Sequence, residues 1–103
     1  ADPAGPSEAH LAWRAGSRAL AEIQREAQGV GARVIVFDTG YPAAFSAAAE
    51  RLAGELKLAY SDAGRRILAR AQTGEPLYLV GDGHWSAQGC EAMARELAAA
   101  ATR

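Results

Sequence analysis

The feature that most constrains this chain is the apolar run at residues 34–37 within "ARVIVFD", residues 32–38, which ends at Asp38 and is set between two segments of helical periodicity. Val34, Ile35 and Val36 favour a strand, and with no polar alternation neither face is left for water. Such a run reads as a strand buried on both faces of a parallel sheet. Before it, Leu11, Ala15, Ala19, Ile23 and Ala27 recur at helical spacing, with Ala12 and Leu20 widening the stripe. After it, Phe45, Ala48, Ala49, Leu52 and Leu56 form one face of a second helix that Pro42 opens. A short strand is expected around residues 58–60, then a third helix over "AGRRILARAQ", a turn at "TGEP" and a short extended piece at "LYLV". A final helix runs over residues 86–101, with Cys90, Met93, Ala94 and Leu97 inward and Glu91 and Arg95 paired outward. Helices that alternate with strands imply an α/β fold, a parallel sheet flanked by helices.

The 103 residues allow one small domain or part of a larger one. Half are hydrophobic, but many of these are alanine and bury little area, so the few large side chains must cluster. Residues 1–7 read as a linker or a loose N-terminus, and residues 8–103 as the folded segment. Within the opening, Ser7 is placed to cap the first helix and Glu8 suits the positive end of its dipole. A net charge of -1 without a basic run argues against nucleic acid as a partner. No apolar run approaches the length of a membrane span. The single cysteine, Cys90, excludes an internal disulfide and any multi-cysteine metal site.

Several residues invite a functional reading. Gly29 and Gly31 resemble part of a dinucleotide fingerprint, but they follow a helix and open a strand, the reverse of what that motif needs. They read as a helix C-cap and turn. Asp38 and Asp62 end strands, where sites gather in parallel sheets and where strands also simply stop. Ser61 stands beside Asp62 without the surroundings of a nucleophile elbow. His10 reads as a surface residue, Ser86 as the cap of the last helix and Trp85 as its anchor. Asp82 and His84 remain. On an extended segment, side chains two apart share a side. The carboxylate can then accept the His84 Nδ1–H, which fixes the tautomer and leaves Nε2 to take a proton from a hydroxyl. A metal would need a further ligand, for which Cys90 is the nearest candidate and reads better as core.

The block "GDGHWSAQGCEAMARELAAA" resembles the last conserved block of the SGNH (GDSL-type) hydrolases and related acyltransferases. In that family an Asp and a His precede the final helix, with a glycine shortly after, matched here by Asp82, His84 and Gly89. The resemblance implies a flavodoxin-like (SGNH-type) fold, of which this chain looks like the C-terminal part. With only Gly83 between Asp82 and His84, the motif is similar to the Asp-x-His-Trp form of alginate-acetylation proteins and some carbohydrate esterases. His84 and Asp82 are thus expected to be the catalytic base and its orienting acid, acting on a small acyl ester, an O-acetylated carbohydrate included. The chemistry requires no cofactor and no metal. The family's Gly-Asp-Ser nucleophile block is not found in the sequence, nor is any asparagine for its oxyanion hole. In permuted relatives the serine follows the Asp-x-His motif, whereas here only the closing helix does. The expected partner is therefore a missing N-terminal half of the same fold, in cis or as a second chain, docked along an exposed strand edge that would otherwise invite self-association. Two other readings stand beside this one. One is a non-catalytic α/β module that binds a partner, and it gains if the Asp82 carboxylate lies beyond reach of the His84 ring. The other is a complete small enzyme that pairs Ser61 with His84.

Overall fold

The computed structural model describes residues 8–102, with side chains from residue 11 onward. The 1–7 linker, the Ser7 cap and the side chain of His10 lie outside the described residues. Two compact units divide the chain, Ala1–Val34 and Ile35–Arg103.

The first unit is built on helix α1, Glu8–Gly29. It ends as the glycines require. The Ala32 N–H reaches the Ala27 carbonyl at 2.8 Å and the Gly31 N–H reaches Gln28 at 3.3 Å, while Gly31 takes φ +70°. This is a Schellman closure, in which the left-handed residue carries no Cβ to clash. Leu11 and Ile23, expected on the buried stripe, are each 50% exposed, and Trp13, Gly16, Ser17, Leu20, Ala21, Gln24 and Ala27 are the more enclosed positions. Trp13, the largest side chain of the helix, falls outside the Leu11–Ile23 row yet is among the enclosed positions.

The second unit is mixed α/β. Strands β1 (Ile35–Phe37) and β2 (Ala59–Ser61) form a two-stranded parallel sheet, with Ile35 opposite Ala59 and Phe37 opposite Ser61. Helix α2 (Ala43–Glu55) is the crossover between them and packs on both strands. Helices α3 (Ala63–Gln72) and α4 (Ala87–Ala101) pack on each other. Their seam holds the core: Ala63 and Ile67 of α3, Leu77, and Ala92 and Met93 of α4, with Tyr78, Trp85 and Leu97 against them. The expectation of a strand buried on both faces fails for β1. The "ARVIVFD" run contributes only three residues to the ladder, Ile35 and Val36 are half-buried, and Phe37 is 46% exposed. The ladder extends only as far as the equally short β2 supplies partners.

Two helices present a different face from the one that hydrophobicity selects. In α2 the buried residues are Ser46, Leu52 and Ala53, whereas Phe45 is 65% exposed. A serine can occupy the inner face because its hydroxyl finds the Tyr60 hydroxyl at 3.3 Å. In α4, Gly89, Ala92 and Met93 are buried, while Cys90 and Ala94, expected inward, are exposed. Gly89 sets this rotation. A Cβ there would overlap the Leu77 carbonyl oxygen, so only the glycine face can approach residue 77.

Helix α2 closes with a second Schellman pattern, Leu58 N–H to Ala53 O at 2.8 Å and Lys57 N–H to Gly54 O at 3.1 Å. Here the left-handed position is Lys57, at φ 57°. A side chain there costs about 1–2 kcal/mol. Replacing Lys57 with glycine removes that strain but adds unfolded-state entropy, so a net gain of roughly 0.5–1 kcal/mol is expected from the urea midpoint.

Candidate functional site

Asp82 and His84 meet at the tip of a hairpin rather than on the extended segment expected for them. Tyr78 pairs with Trp85 in an antiparallel bridge, bracketed by Leu79 N–H to His84 O at 3.0 Å and Ser86 N–H to Leu77 O at 2.9 Å. The chain reverses through a turn in which Asp82 N–H bonds Leu79 O at 3.1 Å, with Gly81 at φ +69° in the third position. A positive φ there is the type II signature, and glycine supplies it without strain. The bend breaks the extended geometry of "LYLV" after Tyr78.

The carboxylate still finds the ring, by a different route. Asp82 Oδ1 accepts the His84 backbone N–H at 2.9 Å, an Asx-turn that folds residue 84 back over residue 82. The same oxygen lies 2.5 Å from His84 Nδ1. An ionised carboxylate can only accept, so Nδ1 is the donor in this contact, and in the neutral ring Nε2 is then the lone-pair nitrogen. The hydrogen bond from the ring, then the one from the backbone, holds the Asp82 carboxyl below its ordinary pKa, so it is ionised at neutral pH. The His84 side chain is 86% exposed. The carboxylate lies within reach of the ring, so the separation that would have favoured the non-catalytic reading is not seen.

Ser86 joins the hairpin to α4. Its Oγ donates to the Pro76 carbonyl at 2.7 Å and accepts from Gly89 N–H at 3.1 Å, so it is the cap that the sequence indicates. Ser61 is not brought to His84. It is 5% exposed, its Oγ accepts the Ala63 N–H at 3.2 Å, and no hydrogen bond joins it to the imidazole. A self-contained Ser61–His84 enzyme lacks its central contact. Asp62 precedes α3 without capping it through its side chain and instead pairs with Arg66 at 3.2 Å. Among the described residues no three His, Cys, Asp or Glu side chains gather as a metal site.

The sequence reading missed a polar cluster around Asp38. Asp38 Oδ1 accepts the Gly40 N–H at 2.7 Å and Oδ2 accepts the Tyr60 hydroxyl at 2.5 Å. Arg65 lies over the Tyr60 ring, 5.5 Å from its centroid, and pairs with Glu50 at 2.8 Å. Its Nε is shut away from solvent without a hydrogen-bond partner, a penalty that the cation–ring contact offsets. Burial pushes the Asp38 pKa up, but the hydroxyls of Tyr60 and Ser46, the Gly40 N–H and the charge of Arg65 outweigh it and leave the carboxyl below its ordinary value. Burial, then the bond to Asp38, raises the Tyr60 phenol. The signal was the pairing of two parallel strands that are each followed by Asp, which sets Tyr60 opposite Val36, near the end of β1.

This cluster shapes the loop after β1, and that loop faces the hairpin. Between them lies a cleft of about 330 Å³ lined by Thr39, Tyr41, Leu68, Tyr78 and Gly83. Gly83 is the residue between the two members of the Asp82–His84 pair.

Set against known proteins, the chain matches no family model, no curated sequence and no solved structure. No helix among the described residues is long and apolar enough to cross a membrane.

Proposed function

We propose that Asp82 and His84 supply the acid–base half of a Ser-His-Asp ester hydrolase or O-acyltransferase acting on small acyl esters. The observation that carries this reading is the 2.5 Å Asp82–His84 contact on a ring that is 86% exposed. The carboxylate orients the imidazole and stabilises the imidazolium, and Nε2 stays open to a hydroxyl delivered from elsewhere. A serine proton would pass to Nε2 as Oγ attacks the ester carbonyl. The imidazolium would then return that proton to the departing alkoxide, leaving an acyl-enzyme for water or a second alcohol to resolve. Ser46, Ser61 and Ser86, the serines of the Ile35–Arg103 unit, have their hydroxyls in other bonds. On this reading the nucleophile and its oxyanion donors belong to an additional segment of the same fold.

The test is hydrolysis of p-nitrophenyl acetate. The isolated chain is expected to match its His84→Ala variant, because a positioned base without a nucleophile has nothing to deprotonate. In a polypeptide that also carries a Gly-Asp-Ser segment, His84→Ala should lower kcat by about 10³-fold or more, with Asp82→Asn in the same direction. Turnover by the isolated chain well above its His84→Ala control would place the nucleophile within these residues. A parent gene without a Gly-Asp-Ser block would sink the reading.

A further inference from the structure

The cleft beside the Asp82–His84 pair has a chemistry of its own. Its walls are two tyrosines, Tyr41 from the loop after β1 and Tyr78 from the hairpin, with Leu68 of α3, Thr39 and Gly83 completing it. None of these side chains is charged. The Thr39 hydroxyl is committed to the Tyr41 carbonyl at 3.0 Å, so it has no hydrogen atom left to donate. A sugar can also stack on an aromatic face, but its hydroxyls ordinarily need carboxylates, amides or guanidinium groups as well, and this lining has none of them. A phosphate or carboxylate would meet no cation. Two phenol rings and a leucine instead match a flat, neutral ring, which stacks against aromatic faces and buries apolar area. At about 330 Å³ the cleft falls at the small end of ligand pockets, which run about 300–1,000 Å³.

A second groove of this unit, about 400 Å³ between α3 and α4, lacks these properties. Its charged groups already pair, Arg70 with Glu75 at 2.7 Å and Arg95 with Glu91 at 2.6 Å, so little is left to bind a ligand.

We infer that the Tyr41–Tyr78 cleft is the binding site for a neutral aromatic ring carried by the ester on which Asp82 and His84 act. This rests on the ester-hydrolase reading for the identity of the ligand, but the site itself stands on its lining. Gly83 makes the connection, since it lines the cleft and separates the two members of the pair. Tyr41, 73% exposed, is the specificity-determining side chain that can be altered without touching the core.

The test is a titration of the isotope-labelled chain, followed at the Thr39 and Gly83 amides. The probes are phenyl acetate, methyl benzoate, ethyl acetate and methyl α-glucopyranoside. Saturable shifts are expected with the two ring-bearing esters, at least about tenfold tighter than with ethyl acetate or the glycoside. Phenyl acetate binding more tightly than methyl benzoate places the ring on the alcohol side, and the reverse order places it on the acyl side. Tyr41→Ala should weaken the ring-bearing probes by about tenfold. Tyr41→Phe, which keeps the face of the ring, should restore them. His84→Ala should leave binding within about twofold, so failure of the catalytic reading and failure of the cleft are separable. The inference is overturned if the glycoside binds as tightly as the aryl esters, if Tyr41→Ala binds as wild type does, or if no probe gives a saturable shift at these amides.

Discussion

Replacing Gly64 or Gly89 with alanine should cost the Ile35–Arg103 unit about 3 kcal/mol or more, enough to unfold a marginal domain. In both cases the added methyl would overlap a backbone carbonyl oxygen, of Asp38 for Gly64 and of Leu77 for Gly89. A flexible side chain can rotate away from such an overlap, but a main-chain carbonyl cannot. Relief requires the helix to lift off the segment beneath it. For Gly64 that separates α3 from the loop after β1. For Gly89 it separates α4 from the hairpin and opens the seam around Met93. Gly54 is the internal control. A Cβ there meets nothing within 4 Å, and Gly54→Ala should stabilise the unit by about 0.5–1 kcal/mol. Urea midpoints read from the Ile67 and Met93 methyl resonances report this unit and distinguish the three variants. A Gly89→Ala protein as stable as wild type would refute the close approach that sets the rotation of α4.

The Asp38 cluster should contribute to how stability responds to pH at both extremes. The folded state holds Asp38 below its ordinary pKa, so between the folded and unfolded values the unfolded chain binds more protons. The resulting stabilisation is complete above the unfolded-chain value and is lost as pH falls through the folded one. Tyr60 has the opposite sign. Its raised pKa gives stability that is complete below the ordinary phenol value and is lost as pH rises through the folded value. Asp38→Ala should cost about 2–3 kcal/mol at neutral pH, because it strands the Tyr60 hydroxyl and the Gly40 N–H. Tyr60→Phe should abolish the alkaline loss and blunt the acid one. Urea midpoints measured from pH 2 to 11 give both limbs, and an unchanged alkaline limb in Tyr60→Phe would show that another group is responsible.

What the sequence reveals follows the range of the interaction. The bounds of α3, the Ser86 cap, the Schellman glycines and the Glu91–Arg95 pair at 2.6 Å are all set by neighbours within a few residues, and all were legible. Which side of a helix turns inward was not. Hydrophobicity chooses Phe45 over Ser46 and Cys90 over Gly89, because the deciding partners, the Tyr60 hydroxyl and the Leu77 carbonyl, are remote in sequence. The site divides the same way. The spacing of Asp82 and His84 was enough to suggest their pairing, although the route is an Asx-turn on a bent tip and not a straight strand. The Asp38 cluster and the cleft were hidden because each draws residues from several elements. The two-stranded sheet establishes an α/β unit, and the flavodoxin-like extension of it belongs with the functional proposal.

The Ser86 hydroxyl donates to Pro76 on one side and accepts from Gly89 on the other. One rotor therefore closes both the base of the hairpin and the first turn of α4. Each bond holds the hydroxyl in the position that the other needs, so the two ends are ordered through one side chain. Amide exchange should record this as a single opening event, with Ser86 and Gly89 losing protection together, and a partner that grips the α4 end would slow the breathing of the imidazole loop without touching it.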